Sequence, residues 1–227
     1  MEYNLALQKF GEAYIDRKKE FALIFRMCDF RKKFVLEVGS GSEGHFLREL
    51  LRRTDNVMAT DISEKALAEL AKKFNIQTKA CSAEALPFYV RSFDIVFSRW
   101  VLQHADAKKA AAEMARVSDK YVLIVLPNEE GDETKMKSIV EKGNAEKRKK
   151  RVEEIKKTLA DSGFVVKEKR IVLKFRFSNL KSALEVLSAV EFQNKVKDSD
   201  KTRIEDFLKK RKGAFTQGAS FILGERK

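Results

Sequence analysis

The stretch Val35-Leu36-Glu37-Val38-Gly39-Ser40-Gly41-Ser42-Glu43-Gly44 decides the fold of this chain. Its four leading residues are typical of a buried strand, and its glycines have the spacing Gly-x-Gly-x-x-Gly. The apolar pattern of residues 45–53 then predicts a helix. A strand, a glycine turn and a helix start form a nucleotide cradle, because glycine lets the backbone approach a ligand and the first helical N–H groups are free.

Two acidic residues make this cradle more specific. Glu37 lies two residues before the first glycine, and Asp61 ends a second predicted strand, Val57 to Thr60. A carboxylate at that distance can accept hydrogen bonds from ribose hydroxyls. The pattern leaves two cofactor classes open, nicotinamide dinucleotides and S-adenosylmethionine (SAM).

Apolar periodicity predicts a regular alternation of strands and helices. The predicted strands cover residues 35–38, 57–60, 76–80, 92–98 and 121–126. The predicted helices cover residues 4–25 (as one helix or two), 45–53, 63–74 and 106–117, with Ser63 and Asp106 as N-caps. Such an alternation predicts a parallel sheet with helices on both faces, and ligands of such sheets bind at the carboxyl ends of the strands.

The C-terminal part has a different pattern. Residues 131–161 are predicted to form one long charged helix, residues 164–177 an extended strand, and residues 219–224 a short last strand. Between these strands, two helices are predicted, one capped by Ser178 and Asn179 and one over residues 198–212. The segment 179–212 is thus predicted to be a helical insertion between the last two strands.

Four stretches in this order resemble the class I SAM-dependent methyltransferases, closest to the branch of the ubiquinone/menaquinone and malonyl-carrier-protein methyltransferases. They are residues 35–41, Ala59-Thr60-Asp61-Ile62-Ser63, Ala83-Glu84-Ala85-Leu86-Pro87-Phe88 and Ser92-Phe93-Asp94-Ile95-Val96-Phe97-Ser98. Dehydrogenases share the first two stretches but not the last two. The resemblance implies SAM as the cofactor and an α/β Rossmann-like fold, with a seven-stranded, mostly parallel sheet whose last strand is antiparallel.

The resemblance also implies a domain organisation. A single domain would span residues 1–227. It would comprise an N-terminal helical cap (1–33), a SAM-binding core (34–126) and a substrate-side C-terminal part (127–227).

The resemblance further assigns roles to individual residues. Glu37, Gly39, Ser40 and Gly41 would shape the pocket for the methionine part of SAM. Asp61 would bind the ribose hydroxyls, and Ile62 would contact the adenine face. The remaining cofactor contacts would be Ser82 and Ala83 at the adenine edge, and Ser98 and Arg99 below the sulfonium. Phe10-x-x-Ala13-Tyr14 also resembles a short N-terminal signature of the biotin-pathway relatives, in which the tyrosine closes over the site; core packing is the favoured alternative for Tyr14.

Two positions depart from the family pattern. Ser82 replaces an aspartate that many relatives use to accept from the adenine amino group, and a hydroxyl is the weaker acceptor. Residues 117–120 replace the usual Pro-Gly-Gly turn before the fifth strand, and we expect them to form a turn of different chemistry.

Catalytic side chains are hard to read in a methyltransferase, because the sulfonium itself makes the methyl group electrophilic. The protein must align the acceptor and exclude water, and it needs a base only for some acceptors. His104 is the candidate base, since it follows the fourth strand on the cleft side. A packing or capping role fits this histidine equally well.

Charge is distributed unevenly along the chain. Residues 1–140 hold 23 basic and 21 acidic residues, whereas residues 141–227 hold 24 and 13, a net charge of +11. The only two cysteines predict neither a metal site nor a disulfide framework, and no apolar run reaches the length of a membrane span. Because residues 1–4 also lack the pattern of a signal peptide, we expect a cytoplasmic protein.

Three functions remain open on these observations. The first is methylation of a small, anionic molecule. The second is methylation of RNA, most plausibly tRNA, in which the basic C-terminal part attracts phosphates and the phenylalanines 175, 177, 192, 207 and 215 stack on bases. The third is a non-catalytic SAM-binding regulatory protein. The oligomeric state is left open.

Overall fold

The computed structural model describes residues 3–190, 197–212 and 214–227. Phe192, which the sequence analysis singled out, lies outside the described residues. In the described part, the strands are β1 (Val35–Val38), β2 (Val57–Asp61), β3 (Gln77–Ala80), β4 (Phe93–Arg99), β5 (Ser118–Pro127), β6 (Phe164–Arg176) and β7 (Ala214–Arg226). The helices are α1 (Tyr3–Ala13), α2 (Arg17–Met27), α3 (His45–Leu50), α4 (Glu64–Lys73), α5 (Ala107–Val117), α6 (Gly131–Val140), α7 (Asn144–Asp161), α8 (Leu180–Val190) and α9 (Asp198–Lys209).

The strands form one seven-stranded sheet with the order β3-β2-β1-β4-β5-β7-β6. Strands β1 to β5 pair in parallel, and β7 is antiparallel to its neighbours. The strand β1 lies inside the sheet between β2 and β4, with Glu37 beside Ala59 and Phe97. The predicted fold class is therefore confirmed, including two helices before β1 and two between β6 and β7.

The chain divides into two compact units. The larger unit comprises Phe21–Leu126, Arg151–Lys169 and Ser220–Lys227, and the smaller unit comprises Met1–Glu20, Pro127–Lys150 and Arg170–Ala219. The predicted division into a cap, a core and a C-terminal part of one domain stays a prediction.

The larger unit has an aliphatic core. Strands β1, β4 and β5 bury their side chains against α5 and against the second half of α7. Both predicted N-caps are confirmed: Ser63 Oγ accepts from the Ala66 N–H (3.2 Å), and Asp106 Oδ1 accepts from the Lys109 N–H (3.1 Å). These caps fix where the helices after β2 and β4 begin, and so the length of the loops at the carboxyl edge of the sheet.

The smaller unit has an aromatic core. The ring of Phe175 stacks on Tyr14 (4.5 Å between centroids) and on Phe215 (4.9 Å). Phe177 stacks on the other side of the group, 5.9 Å from Phe215, and Phe10 packs 5.0 Å from Phe175. Phe175, Phe177 and Phe215 are each at most 6% exposed. These rings are therefore core residues that contact one another.

A buried ion pair also belongs to the smaller unit. The Arg148 guanidinium donates to both carboxylate oxygens of Glu133, and also to Thr134 Oγ1 (3.0 Å) and the Asn128 carbonyl (3.3 Å). Arg148 is 3% exposed and Glu133 is fully buried. Lys137 lies 3.4 Å from Glu133 Oε1 as a second cation, but only Arg148 donates to both carboxylate oxygens, so loss of Arg148 would leave the buried carboxylate poorly compensated.

The predicted turn at residues 117–120 is wrong. The strand β5 begins at Ser118, directly after α5, and a register shift opposite Phe93 and Ile95 absorbs the extra residue. The physical reason is Arg226, whose guanidinium donates to the carbonyls of Ala115 (2.7 Å), Ser118 (2.9 Å) and Asp119 (3.1 Å). The Arg226 side chain, from β7, thus donates hydrogen bonds to the backbone carbonyls at the end of α5 and the start of β5, where the family pattern has a glycine turn.

Two other predicted boundaries differ from the structure. The single helix over residues 131–161 is two helices, α6 and α7, separated near Gly143, which has φ of 78°. The last strand, predicted over residues 219–224, spans 13 residues. Its early part was missed because Thr216, Gln217 and Gly218 interrupt the apolar run.

Candidate functional site

The glycine turn after β1 uses its first two glycines differently. Gly39 and Gly41 have φ of 75° and 61°, where side chains are rarely tolerated. A Cβ on Gly39 would lie 2.2 Å from a methyl of Val101, whereas a Cβ on Gly41 would have no neighbour within 4 Å. The N–H groups of Gly39 and Ser40 both donate to the Thr60 carbonyl, at 2.8 and 2.9 Å. Gly39 is therefore required by protein packing, and the open space lies over Gly41.

Asp61, at the end of β2, is held in place by backbone N–H groups. Its Oδ2 accepts from the Gly41 N–H and its Oδ1 from the Ser63 N–H, both at 2.9 Å. Its carbonyl accepts from the Cys81 N–H (3.0 Å), which brings the start of the loop after β3 beside it. A carboxylate can accept about four hydrogen bonds. Asp61 therefore keeps capacity for a ligand that carries hydroxyl groups.

Glu37, near the end of β1, carries a buried acceptor atom that is not satisfied. Its side chain is 7% exposed, and Oε2 has no hydrogen-bond partner in the part of the chain that the structure describes. Burial raises the pKa of Glu37 to about 7, partly offset by the positive charge of Arg99. A buried carboxyl with a free acceptor is costly unless a ligand donates to it or brings a positive charge.

The residues at the end of β4 form the neighbouring part of the site. Ser98 pairs with Val38, so the carboxyl ends of β1 and β4 are adjacent. Ser98 is fully buried, and its hydroxyl donates to the Val38 carbonyl (3.0 Å). Arg99 is half-buried, with its guanidinium 5.5 Å from the centre of the Phe21 ring. Ser98 thus fixes the backbone, while Arg99 supplies charge near Glu37.

The residues expected around an adenine ring are accessible to different degrees. Ile62 is 80% exposed, although its side chain is large and apolar. Ser82 is half-buried, and its hydroxyl accepts from the Glu84 N–H (3.1 Å). Ala83 packs against the core of the larger unit. The Ser82 hydroxyl already has one partner, so it would accept from an adenine amino group more weakly than a free carboxylate, and its contact with adenine stays a prediction.

His104, the candidate base, is exposed at the end of a 3₁₀ turn formed by Leu102–His104. The Gln103 amide donates to the Trp100 carbonyl (2.8 Å), and the same nitrogen lies 3.2 Å from His104 Nε2. The second amide N–H can then donate to Nε2 when the imidazole proton is on Nδ1. This arrangement uses the lone pair that a base needs, so the catalytic role of His104 stays a prediction.

Tyr14 lies in the smaller unit, at the end of α1. Its hydroxyl donates to Glu20 (2.9 Å), and Glu20 is fully buried. Its ring stacks on Phe175, as described above. These contacts give Tyr14 a structural role within its own unit, and its contact with a cofactor stays a prediction.

Three residues with special geometry were missed by the sequence analysis. They are Val101, which contacts Gly39; Trp100, which has φ of 60°; and Gln103, whose buried Oε1 has no partner among the described residues. The glycine spacing predicts a close approach at Gly39 but not what approaches it. Nothing in the sequence around Trp100 indicates a positive φ.

The described residues contain neither a candidate metal site nor a candidate membrane span. They contain no group of three or more His, Cys, Asp or Glu side chains that could hold a metal ion. Among the same residues, no helix is both long and apolar enough to cross a membrane.

Comparison with known sequences agrees with this geometry. Residues 36–125, from β1 into β5, match the methyltransferase domain family. The uncharacterized protein MJ1252 of Methanocaldococcus jannaschii is 31% identical over 164 residues, which cover 70% of this chain and 61% of that protein. The uncharacterized methyltransferase YcgJ of Bacillus subtilis is 30% identical over 123 residues, 48% of each chain. The chain thus spans less than two thirds of the length of either relative.

Comparison with solved structures shows the same fold. The crystal structure of YcgJ superposes with a TM-score of 0.68 at 17% identity, covering 93% of this chain and 99% of that one. A phosphoethanolamine N-methyltransferase of Haemonchus contortus, in complex with phosphomonomethylethanolamine and S-adenosylhomocysteine (SAH), superposes with a TM-score of 0.59 at 18% identity. That superposition covers 92% of this chain and 52% of the other. The resemblance to methyltransferases predicted from four short stretches is confirmed, and the branch of the family stays a prediction.

Proposed function

We propose that this chain, whose residues 36–125 match the methyltransferase domain family, transfers a methyl group from SAM to a small anionic molecule by in-line displacement. The observation that carries the cofactor assignment is the unsatisfied Oε2 atom of the buried Glu37 carboxyl, at the end of β1 that leads into the open space over Gly41. A SAM molecule carries two positive groups and a ribose diol. The residues present fit these groups, since Glu37 offers a buried negative charge and Asp61 offers acceptor atoms.

The side chains of this site bind and orient more than they react. When bound, SAM supplies an electrophilic methyl group on its sulfonium. The Glu37 carboxylate would attract a positive group of SAM, and this attraction is stronger at the buried position of Glu37 than it would be in water. Asp61 is fixed by two backbone N–H groups, so it accepts from a diol without reorganising. His104 remains the candidate base for an acceptor that must lose a proton.

The state of the aromatic residues supports a small acceptor over RNA. Stacking on bases needs exposed rings. Phe175, Phe177 and Phe215 are buried against one another, and the guanidinium of Arg211 lies 3.7 Å from the centre of the Phe207 ring. Of the five phenylalanines considered for RNA, three are therefore buried, Phe207 is half-buried with Arg211 over its ring, and the fifth lies outside the described residues.

The position of the basic residues also bears on the acceptor. The insertion helices are not basic: α8 holds one lysine and one glutamate, and α9 holds three basic and four acidic residues. The excess lies on α7, with seven basic and four acidic residues, and on the edge strand β6, with five and one. Lysines on an edge strand also prevent sheet-to-sheet association. The net charge still favours an anion through its long-range field.

The residues just after α9 add two exposed cations to the smaller unit. Lys210 and Lys212 are exposed, whereas Arg211 is paired with Asp132 at 3.0 Å. Two exposed lysines suit one carboxylate or phosphate better than the extended backbone of an RNA. The insertion 179–212 as a cover over the acceptor remains part of the proposal.

Transfer of labelled methyl from SAM tests the proposal. The acceptors are a panel of small carboxylic and phosphorylated acids, with bulk tRNA beside them. We expect label on at least one acid and none on tRNA, with loss of transfer in Asp61→Ala and normal transfer in Asp55→Ala, a matched change at an exposed site.

Salt and binding measurements separate the alternatives. An RNA held through several phosphates should lose about 10³-fold in affinity or more between low and moderate salt, whereas a small acid should lose far less. Label on tRNA with that steep dependence would refute the small acceptor. Calorimetric binding of SAM without transfer to any acceptor would favour the regulatory alternative.

A further inference from the structure

Trp100 has a backbone conformation that a bulky residue rarely adopts. Its φ is 60°, and it directly follows β4. In the described part of the chain, three other non-glycine residues have positive φ, namely Lys32, Arg91 and Lys212, and all three are exposed. A left-handed conformation is a genuine outlier for a large aromatic residue and persists only where its surroundings enforce it.

The surroundings of Trp100 do enforce this conformation. Its N–H donates to the Val125 carbonyl on β5, and its carbonyl accepts from the Gln103 amide, both at 2.8 Å. The next residue, Val101, lies where a Cβ on Gly39 would be. The strained residue is thus fixed on both sides, and it connects β4 to the glycine turn.

The position of Trp100 is next to the cofactor residues. The pairing of Val38 with Ser98 places Gly39 and Arg99 side by side at the ends of β1 and β4. Trp100 directly follows Arg99 and is three positions after Phe97, the residue that pairs with Glu37. The side chain is half-buried rather than part of the core. Strained conformations of this kind cluster at ligand sites, because a ligand contact offsets their cost.

We propose that Trp100 is a specificity-determining residue of the methyl-transfer site, held in the left-handed conformation so that its indole contacts the acceptor. This inference rests on the proposed function. An indole has an apolar face and one N–H donor, so it suits an acid with an apolar or planar body. The ring would also keep water from the reacting methyl group.

The sole tryptophan of the chain makes this proposal directly testable. Fluorescence excited where tyrosine does not absorb reports on residue 100 alone. We expect addition of SAH to the wild type to change the emission and to protect it from quenching by acrylamide. Unchanged emission and unchanged quenching would overturn the placement of the indole at the site.

Substitutions test the role in specificity. Trp100→Gly should bind SAH within about twofold of the wild type by calorimetry, but lose about tenfold or more of kcat/KM for the acid that the wild type methylates, as expected for loss of one aromatic contact. Trp100→Phe should restore most of this loss, because it keeps an aromatic face. Normal kcat/KM in Trp100→Gly would refute the inference. If the wild type methylates no acid in the panel, the proposed acceptor class fails, and the fluorescence result still decides the position of Trp100.

A pair of variants tests the strain itself. At an unstrained site, alanine gives a folding equilibrium constant about two- to fivefold larger than glycine. At a left-handed site this order is removed or reversed. We therefore expect Trp100→Gly to be at least as stable as Trp100→Ala in urea, and an alanine variant that is clearly more stable would contradict the strain.

Discussion

The buried carboxyl of Glu37 predicts a pH dependence of stability that one substitution should remove. Burial raises the folded-state pKa to about 7 from the ordinary value of 4.5. The folded protein therefore binds a proton more tightly than the unfolded chain does. Glu37→Gln keeps the shape of the side chain but cannot ionise, so the difference between the two proteins isolates this titration.

The sign and size follow from linkage. Below about pH 4.5 the carboxyl is protonated in both states and contributes no pH dependence. As the pH rises towards 7, the unfolded chain ionises first, so the folded state loses relative stability. A shift of this size corresponds to about 3 kcal/mol at 1.36 kcal/mol for each pH unit. Over that window, Glu37→Gln should gain about 3 kcal/mol relative to the wild type.

Urea unfolding at a series of pH values measures this difference. The matched control is Glu69→Gln, in which the carboxylate is exposed on α4, and its difference from the wild type should stay constant. A Glu37→Gln difference that is also constant from about pH 4 to pH 8 would refute the buried, uncompensated carboxyl.

The same titration should appear in cofactor binding. A cationic ligand beside Glu37 favours the ionised form, so SAM affinity should increase as the pH rises through about 7, with release of up to one proton near that pH. Calorimetry in two buffers of different ionisation enthalpy measures the released protons. Glu37→Gln should bind SAM more weakly and without proton release, and equal proton release in both proteins would contradict the assignment of the group.

Three further variants test other features of the structure. Asp61→Ala should weaken SAM binding about ten- to a hundredfold in calorimetry, because charge-assisted hydrogen bonds are worth about 1.5–3 kcal/mol, while Asp55→Ala should bind normally. Gly39→Ala should destabilise the fold by about 2–5 kcal/mol in urea through strain and its clash with Val101, and Gly41→Ala by only about 1–2 kcal/mol; equal losses would contradict the different roles of the two glycines. Arg148→Met should cost about 3–5 kcal/mol, because it removes the guanidinium that donates to both oxygens of the buried Glu133 carboxylate and leaves the longer ion pair with Lys137 (3.4 Å), and adding Glu133→Gln should recover part of this loss; an additive further loss would show that the pair is not coupled.

Local pattern was sufficient to predict most of the fold, because most elements are set by neighbours in sequence. The N-caps Ser63 and Asp106 bond to N–H groups three residues later, and the central strands are unbroken apolar runs. The start of β5 was not predictable in this way. It depends on Arg226, which is more than 100 residues away in the chain and takes over the carbonyls at the end of α5.

The candidate site was predicted where a motif constrains a single position. Glu37 lies near the end of β1 and Asp61 is the last residue of β2, so both lie at the carboxyl edge of the sheet, as their offsets from the glycines and the second strand predicted. The different roles of Gly39 and Gly41 could not be predicted, because Val101 comes close to Gly39 only when the chain is folded. Tyr14 was predicted from a short resemblance, and its contacts with Phe175 and Glu20 equally suit core packing.

The residues that break local rules in this site meet at the ends of two adjacent strands. Gly39 and Gly41 follow β1 with positive φ, and Trp100 follows β4 with positive φ. Glycine adopts this conformation at little cost, so the first two positions are explained by their residue type. Tryptophan is not, and a sequence selected for stability alone would place glycine or asparagine there. A violation that the neighbouring hydrogen bonds actively maintain is expected at a functional site, which is why Trp100, rather than the exposed His104, is the residue whose substitution should separate acceptor recognition from cofactor binding.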